Sequence, residues 1–302
     1  MFRRSLSGRK AGTSIHELLG VRWPTRVAAM LLATGFLVIA LLPLFWLLVS
    51  STKDERVLYT SFGLWFHGPF SFLANVRSLF DYRSGIFGRW LINTVLYTGV
   101  GGGGAMVISA MAGYAFSRFD FLGSRAFFVS ILASLFVPMT ALTIPIYILY
   151  SKIGLVNSAF GMIIPSLVTP VGVYLMRVYT DGSVPREILD AARVDGAGEL
   201  RIFARIAAPL MVPGAVTVLL LSVVATWNNY FLPYIIFSRE ELYPLTVGLS
   251  LWASQATAGG SAEQLYPLVV TGGVLGLAPI MIVFVALQRY WRVGLLTGAL
   301  TS

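Results

Sequence analysis

Outside the N-terminal tail, the most charged stretch of this sequence runs from Val184 to Ala208. In it, the acidic residues Glu187 and Asp190 stand beside the small pair Ala191-Ala192. Carboxylates form charge-assisted hydrogen bonds with a basic partner, and small side chains let a second surface come close. These residue types therefore indicate a surface on which another protein can dock.

The same segment has the signals of a helix, a turn and a second helix. Pro185 suits the first turn of a helix, and the acidic residues after it complement the positive end of the helix dipole. Asp195-Gly196 predicts a turn, because glycine adopts a positive φ at little cost. Leu200, Phe203 and Ile206 then recur at helical spacing, which predicts a second short helix. An ordinary amphipathic connector between two membrane spans would show the same pattern, so the pattern alone leaves both interpretations open.

A second polar group stands inside an apolar run, where Asn228 and Asn229 lie between Trp227 and Tyr230. We expect the two amides to lie deep in a membrane helix and to face the interior of a helix bundle. Amides and aromatic rings suit hydroxyl-rich sugars, so these four residues are candidates for a translocation pathway. Hydrogen bonding between helices is the alternative interpretation, and it stays open at this point.

The sequence offers no catalytic or metal-binding group. His16 and His67 stand apart, no acid–base pair is clustered, and the absence of cysteine excludes disulfides and thiolate metal sites. The run Gly101–Gly104 lies in an apolar segment with no lysine after it, so it cannot cradle nucleotide phosphates. We expect it instead to let a neighbouring helix approach closely.

The elements that position these groups are membrane helices. Of the 302 residues, 57% are hydrophobic and only 12% are charged, and the mean hydropathy is +0.79. A soluble domain would have roughly twice that charged fraction, so lipid must face much of the surface. Six apolar stretches without an interior charge are long enough to cross a bilayer: Val27–Ser50, Trp90–Phe116, Ala126–Tyr150, Val156–Met176, Leu210–Phe237 and Leu265–Leu287. The predicted fold class is therefore all-α, a polytopic membrane protein with six transmembrane helices.

Prolines in several of these stretches predict kinks in the helices rather than breaks. Basic residues predict the orientation. With the N-terminus inside, 15 of the 22 Lys and Arg residues lie on the cytoplasmic side, which indicates that both termini are cytoplasmic. The net charge of +9 thus orients the chain and does not indicate a nucleic-acid partner.

The predicted organisation has three parts. Residues 1–26 form a cytoplasmic tail, residues 27–290 form the membrane domain, and residues 291–302 form a second cytoplasmic tail. The membrane domain has its core at residues 90–290, and the polar segment 184–208 is the cytoplasmic loop within it.

The polar loop resembles the EAA loop of the permeases of binding-protein-dependent ABC importers. The resemblance rests on the run from Asp190 to Ala197, followed by Phe203, Ile206, Pro209 and Pro213. Asp190 stands where glutamate is usual, so its carboxylate has a shorter reach. Further segments resemble the carbohydrate-importing branch that contains the maltose permeases: Asn93-Thr94, Gly113–Phe119, Val137-Pro138, Ile144–Tyr147, Gly154–Ser158, Trp227–Tyr230, Gln288–Tyr290, Gly294-Leu295 and Gly298-Ala299.

The resemblance implies the fold of a type I ABC importer permease and a function in importing a sugar or related polyol. The chain would be a non-catalytic subunit in the inner membrane of a prokaryote. Its partners would be a P-loop ATPase dimer, which uses ATP and Mg²⁺, a second homologous permease subunit, and an extracytoplasmic solute-binding protein. By resemblance, the ATPase-coupling residues are Glu187, Asp190, Ala191, Ala192, Asp195, Gly196, Ala197 and Phe203.

Two alternatives differ in solute or in mechanism. Permeases for glycerol-phosphate-type solutes are similar and remain an alternative. A secondary transporter would place ionisable residues within its spans for proton or sodium coupling, and the spans predicted here have none.

Overall fold

The structure is a computed structural model that describes residues 23–258 and 265–299, and all regular elements in these two ranges are helical. The predicted N-terminal tail lies outside the described residues up to residue 22, and so do residues 300–302 of the predicted C-terminal tail. In chain order the helices are α1 (Trp23–Ser51), α2 (Glu55–Thr60), α3 (Phe72–Asp81), α4 (Ile86–Arg118), α5 (Ser124–Ala133), α6 (Met139–Ile153), α7 (Ala159–Ser166), α8 (Pro170–Ser183), α9 (Arg186–Val194), α10 (Glu199–Ile202), α11 (Ala208–Trp227), α12 (Phe231–Ile236), α13 (Leu245–Thr257) and α14 (Leu265–Ala299).

Five helical segments in the described ranges are long and apolar enough to cross a membrane, and a bent pair of helices makes a sixth. This agrees with the predicted all-α membrane fold. The helices α7 and α8 together form one such segment, Ala159–Ser183, and the loop helix α10 continues into α11 as Glu199–Trp227. The last helix extends past residue 290 into the predicted C-terminal tail.

The predicted span Ala126–Tyr150 is not one kinked helix. It consists of α5 and α6, which meet at an angle of 105°. The break falls at Val137, whose ψ of 117° is extended, because the residue before a proline is sterically disfavoured in the helical region. The expectation of kinks rather than breaks is therefore wrong at Pro138.

The predicted span Leu210–Phe237 also ends early. Helix α11 stops at Trp227, and residues 228–230 separate it from the short helix α12. The side chain of Asn228 donates to the carbonyl oxygen of Val224 at 2.9 Å, and the hydroxyl of Thr246 donates to that of Asn229 at 2.9 Å. Both carbonyls therefore gain side-chain partners at the helix end. The two asparagines thus lie at a helix end, and the prediction that they lie deep within a helix is wrong.

The predicted second short helix of the polar loop is not separate either. Helix α10 joins α11 through a π-helical turn, Phe203–Ala207, so the loop runs without interruption into a membrane span. The hydrophobic spacing of Leu200, Phe203 and Ile206 reflected the start of that span.

Helix α4 is the centre of the bundle and packs closely against α8 and α11. Glycines allow the close approach. A Cβ on Gly113 would lie 2.5 Å from the Cβ of Met176 and 2.7 Å from the backbone nitrogen of Arg177. A Cβ on Gly101 would lie 2.6 Å from that of Ser166, and one on Gly102 would lie 3.0 Å from a methyl of Val223. The expected role of the glycine run in helix packing is confirmed.

Side chains in the N-terminal half of α4 form hydrogen bonds with the segment that leads into α13. Four side chains on α4 make hydrogen bonds of 2.7–3.1 Å to the backbone of residues 240–245. These side chains are Trp90, Asn93, Thr94 and Tyr97. This backbone forms only a single 3-10 turn, Glu240–Leu242, before α13 begins, so the side chains supply partners for polar groups that the turn leaves unpaired.

We expect Gly113→Ala to destabilise the bundle by roughly 1–3 kcal/mol, because the added methyl group would push α8 away from α4. The measurement is the thermal unfolding midpoint of the purified chain in detergent. Gly103→Ala is the matched control: it lies on the same helix, its Cβ would meet nothing within 4 Å, and alanine favours a helix over glycine. Equal midpoints for the two variants would contradict the close contact.

Candidate functional site

The polar loop begins with α9, which is anchored to the helix bundle by one buried side chain. Leu189 is 1% exposed, whereas its neighbours Ile188 and Asp190 are exposed. Leu189 belongs to an apolar cluster that joins the loop to three spans. The other buried members are Tyr114, Met176, Val184, Ile202, Ala207, Met211 and Val218.

The predicted turn after α9 is present and is closed by backbone hydrogen bonds. Gly196 has a φ of +79°, the left-handed region that glycine adopts without steric cost. The N–H of Ala197 donates to the carbonyl of Ala192, and the N–H of Gly196 donates to that of Arg193, each at 3.0 Å. This is the pattern of a Schellman motif, which satisfies the last carbonyls of the helix.

Arg193 ties the two sides of the turn together. Its guanidinium forms ion pairs with Asp190 at 2.6 Å and with Glu199 at 2.7 Å. The hydrogen bonds that Arg193 donates to Glu199, and to a lesser extent the one to Asp190, raise its pKa, so the cation is retained at all physiological pH values. Asp190, which by resemblance would pair with a basic residue of an ATPase, thus has a partner within its own chain. Its side chain is still 65% exposed.

The structure separates the predicted coupling residues into an outer and an inner group. The outer group is exposed and comprises Glu187, Asp190, Ala191, Asp195 and Gly196. The inner group is half-buried against the apolar cluster and comprises Ala192, Ala197 and Phe203.

Phe203 belongs to the bundle rather than to the outer surface. Its ring centroid lies 5.2 Å from that of Tyr114 on α4. Its contact with α4 therefore makes it a residue that positions the loop.

The outer surface also contains apolar residues that the sequence analysis did not select. Val194 is 88% exposed and Leu200 is 77% exposed, although both lie in the polar loop. A helical-face test would have found Val194, because it follows Glu187, Asp190 and Ala191 at the spacing i, i+3, i+4, i+7. We call the exposed residues Glu187, Asp190, Ala191, Val194 and Leu200 the coupling face.

A second unselected residue, Arg118, fixes the start of the loop. It is the last residue of α4, and its side chain is only 5% exposed. It donates to the carbonyl of Thr180 at 2.6 Å and to that of Val184, and it lies 3.4 Å from a carboxylate oxygen of Asp181. Ser117 donates to the same carboxylate oxygen. Arg118 therefore caps α8 at the point where the loop begins.

The four residues predicted for a translocation pathway are brought together only in part. Trp227 is 9% exposed and packs in an apolar cluster with Trp90 and Leu245, so it is a core residue. Asn228 is exposed at the helix end. The ring of Tyr230 stacks on that of Tyr234, with centroids 5.3 Å apart and an interplanar angle of 19°.

Comparison with known proteins identifies relatives along nearly the whole chain. The arabinooligosaccharides transport system permease protein AraQ of Halalkalibacterium halodurans is 32% identical over 276 residues, which cover 90% of this chain and 96% of that protein. The maltodextrin transport system permease protein MdxG of Bacillus subtilis is 30% identical over 280 residues, which cover 92% and 96%.

A solved structure has the same fold. It is the crystal structure of a bacterial ABC transporter involved in the import of the acidic polysaccharide alginate. The TM-score is 0.78 at 24% identity, and the match covers 93% of this chain and 100% of that one.

The model of the family "Binding-protein-dependent transport system inner membrane component" matches residues 105–292, which include the whole polar loop. Proteins of this family are non-catalytic membrane subunits that work with a separate ATPase and a solute-binding protein. The chain belongs to the family of inner-membrane components of binding-protein-dependent transport systems.

Proposed function

We propose that the coupling face is the seat of the ATPase in an ATP-driven sugar importer, of which this chain is one of two membrane subunits. One observation carries the proposal. Helix α9 turns Leu189 into the bundle and Glu187, Asp190, Ala191 and Val194 outwards. A helix that is packed against the bundle on one side and exposed on the other is suited to transmit the motion of a bound partner to the bundle.

The route of that motion follows from the packing. Leu189 contacts the cluster that includes Met176 of α8 and Met211 of α11, and both helices pack on α4. Arg118 joins the end of α4 to the start of the loop. A displacement of α9 would therefore move three spans together, as a rigid-body switch at an interface does.

Charge and apolar contact both contribute to the proposed seat. A basic residue of the ATPase would compete with Arg193 for the exposed carboxylate of Asp190, while Glu199 keeps Arg193 paired. Val194 and Leu200 would enter apolar pockets of the partner and bury surface that water now covers. ATP and Mg²⁺ would bind to the ATPase, with none held by this chain.

The solute class is supported by the relatives. Two of them are named for the transport of arabinooligosaccharides and of maltodextrin, and a third for melibiose, raffinose and stachyose. We propose a sugar of this kind as the solute. A glycerol-phosphate-type solute is the alternative, and uptake of the two labelled solutes by reconstituted vesicles distinguishes them.

The helix break at residues 228–230 is the proposed solute-facing surface. The side chain of Asn228 bonds to a carbonyl of its own helix, which does not favour the interpretation as a bridge between helices. The stacked rings of Tyr230 and Tyr234 offer an aromatic face beside it. Discontinuous helices form the solute sites of many transporters.

The proposed arrangement in the cell follows from the same reasoning. The coupling face lies in the cytoplasm of a prokaryote, and both termini lie on that side of the inner membrane. A second homologous permease completes the pore, which we propose to be a heterodimer. The solute-binding protein docks on the opposite side.

We expect Leu200→Ser to weaken the association of the ATPase with the membrane subunits by about tenfold, because an exposed apolar contact would be lost. The measurement is the amount of ATPase retained in pull-down from detergent over a concentration series. Leu73→Ser is the matched control, since Leu73 is 76% exposed. It lies on α3, which adjoins the start of α4, whereas the polar loop adjoins the end of α4. An equal loss in both variants would contradict the proposed seat.

Gly196→Ala should lower transport severalfold and leave membrane insertion intact, because a Cβ at a φ of +79° costs roughly 1–2 kcal/mol and would distort the turn. The measurement is ATP-dependent uptake normalised to the amount of inserted protein. Gly198→Ala lies in the same turn at a φ of −71°, where alanine is unstrained, and should transport normally. Normal transport by the Gly196 variant would show that the turn geometry is not required.

Tyr234→Ala and Asn228→Ala should each reduce sugar uptake, while the complex assembles in normal amounts. The reason is that both side chains are exposed at the helix break and Tyr234 forms half of the stacked pair. The measurements are uptake by reconstituted vesicles and the yield of assembled complex. A fall in assembly with unchanged uptake per complex would instead assign these residues to contacts between subunits.

A further inference from the structure

A cavity of about 390 Å³ lies on the same side of the membrane as the polar loop, away from the coupling face. It is formed where α4 ends, where α5 begins and where α8 approaches the loop. Its polar lining is Ser124, Arg125 and Arg177, and its apolar lining includes Phe128, Val129 and Leu132.

The two arginines give the cavity an uncompensated positive charge. Among the described residues, no carboxylate lies within 4.0 Å of the basic nitrogens of Arg125 or Arg177. The guanidinium carbon of Arg177 lies 4.0 Å from the ring centroid of Phe128, which is buried. This cation–π contact holds Arg177 in place without neutralising it.

The cavity lining extends from the loop side into the bundle. Ser124 and Arg125 begin α5 just after the loop-side connection, and Leu132 follows seven residues later, which is roughly 10 Å deeper along a helix. Arg177 lies six residues before the end of α8, at roughly 9 Å by the same rise. Arg125 therefore lies at the loop-side end of the cavity, and Arg177 lies about as deep as Leu132, beside the apolar lining.

The apolar lining continues onto exposed side chains of α5. Val129, which lines the cavity, is 56% exposed, and Phe127 beside it is 62% exposed. These side chains thus form an exposed apolar face of α5, which is suited to contact lipid. A soluble inorganic anion would make no favourable contact with these apolar side chains.

We propose that this cavity binds one anionic phospholipid, with its phosphate between Arg125 and Arg177 and its acyl chains along Phe128, Val129 and Leu132. Basic pockets between membrane helices bind such head groups. The positive end of the α5 dipole adds to the attraction. The lipid joins α5 to α8, and α8 leads directly into the coupling loop, so its binding restrains the helix from which the loop starts.

The test uses the full chain, purified with its partner subunits in a neutral detergent. Dioleoylphosphatidylglycerol is titrated, and the thermal unfolding midpoint is followed to give a half-saturating concentration. Dioleoylphosphatidylcholine and inorganic phosphate are titrated in parallel. We expect a saturable rise of the midpoint with phosphatidylglycerol and none with the other two.

Arginine variants locate the effect. Arg125→Gln and Arg177→Gln should each raise the half-saturating concentration of phosphatidylglycerol by about fivefold, the contribution of one basic residue at an anionic lipid. Arg201→Gln is the control, because Arg201 is an exposed arginine on the same side of the membrane outside the cavity. Arg125 is exposed, so its substitution tests the site even if the Arg177 variant folds poorly.

Two results would overturn the proposal. Equal stabilisation by inorganic phosphate would assign the cavity to a free anion. An equal shift in the Arg201 variant, or no shift in the Arg125 variant, would show that phosphatidylglycerol acts through general surface charge and not through this cavity.

Discussion

The structure depends on the requirement that backbone groups inside a membrane find partners within the protein, since lipid offers none. Three apolar segments within the described ranges are interrupted, at Val137, at residues 167–169 between α7 and α8, and at residues 228–230, and protein groups partner the backbone at each of them. Ser134 donates to the carbonyl of Ile131 before the break at Val137, and Thr169 caps α8 by accepting from Gly172. Thr246 donates to the carbonyl of Asn229 at the third break. Interrupted spans are therefore stable here because polar side chains stand where the helices end.

Helix α4 links the two ends of the molecule. At its start, Trp90 and Asn93 hold the backbone that leads into α13. At its end, Arg118 caps α8 and Tyr114 packs on Phe203 of the polar loop. Between them, glycines bring α8 and α11 into close contact, so that these helices have little freedom to slide separately. One rigid helix thus joins the side proposed for solute entry to the side proposed for the ATPase.

The polar loop and the basic cavity each contain an arginine that is held by contacts within the chain. Arg193 in the loop is paired with two carboxylates, and this leaves the turn closed and its surface accessible to a protein. Arg177 in the cavity rests on an aromatic ring and has no such pair among the described residues, which suits it to an anion. In both places a charged side chain, Asp190 in the loop and Arg177 in the cavity, is held by a contact within the chain before an external partner binds, so binding costs less side-chain entropy.

The sequence by itself determined the membrane class, the number of apolar segments and the position of the polar loop, because hydropathy and motif spacing are local properties. It also predicted the turn at Gly196 and the close approach at Gly101 and Gly102. Glycine allows a positive φ and close helix contact because it has no side chain, whatever the rest of the chain does. The break at Val137 has a local cause in the proline that follows it, although the sequence predicted only a kink there. The break at Asn228, the capping role of Arg118 and the inward face of Phe203 were decided by the tertiary structure. Each of these depends on partners that are distant in sequence, such as Thr246 for Asn229 and Thr180 for Arg118. Composition cannot indicate which distant groups will meet, so only the packed bundle could separate the residues that hold the loop from those that face a partner.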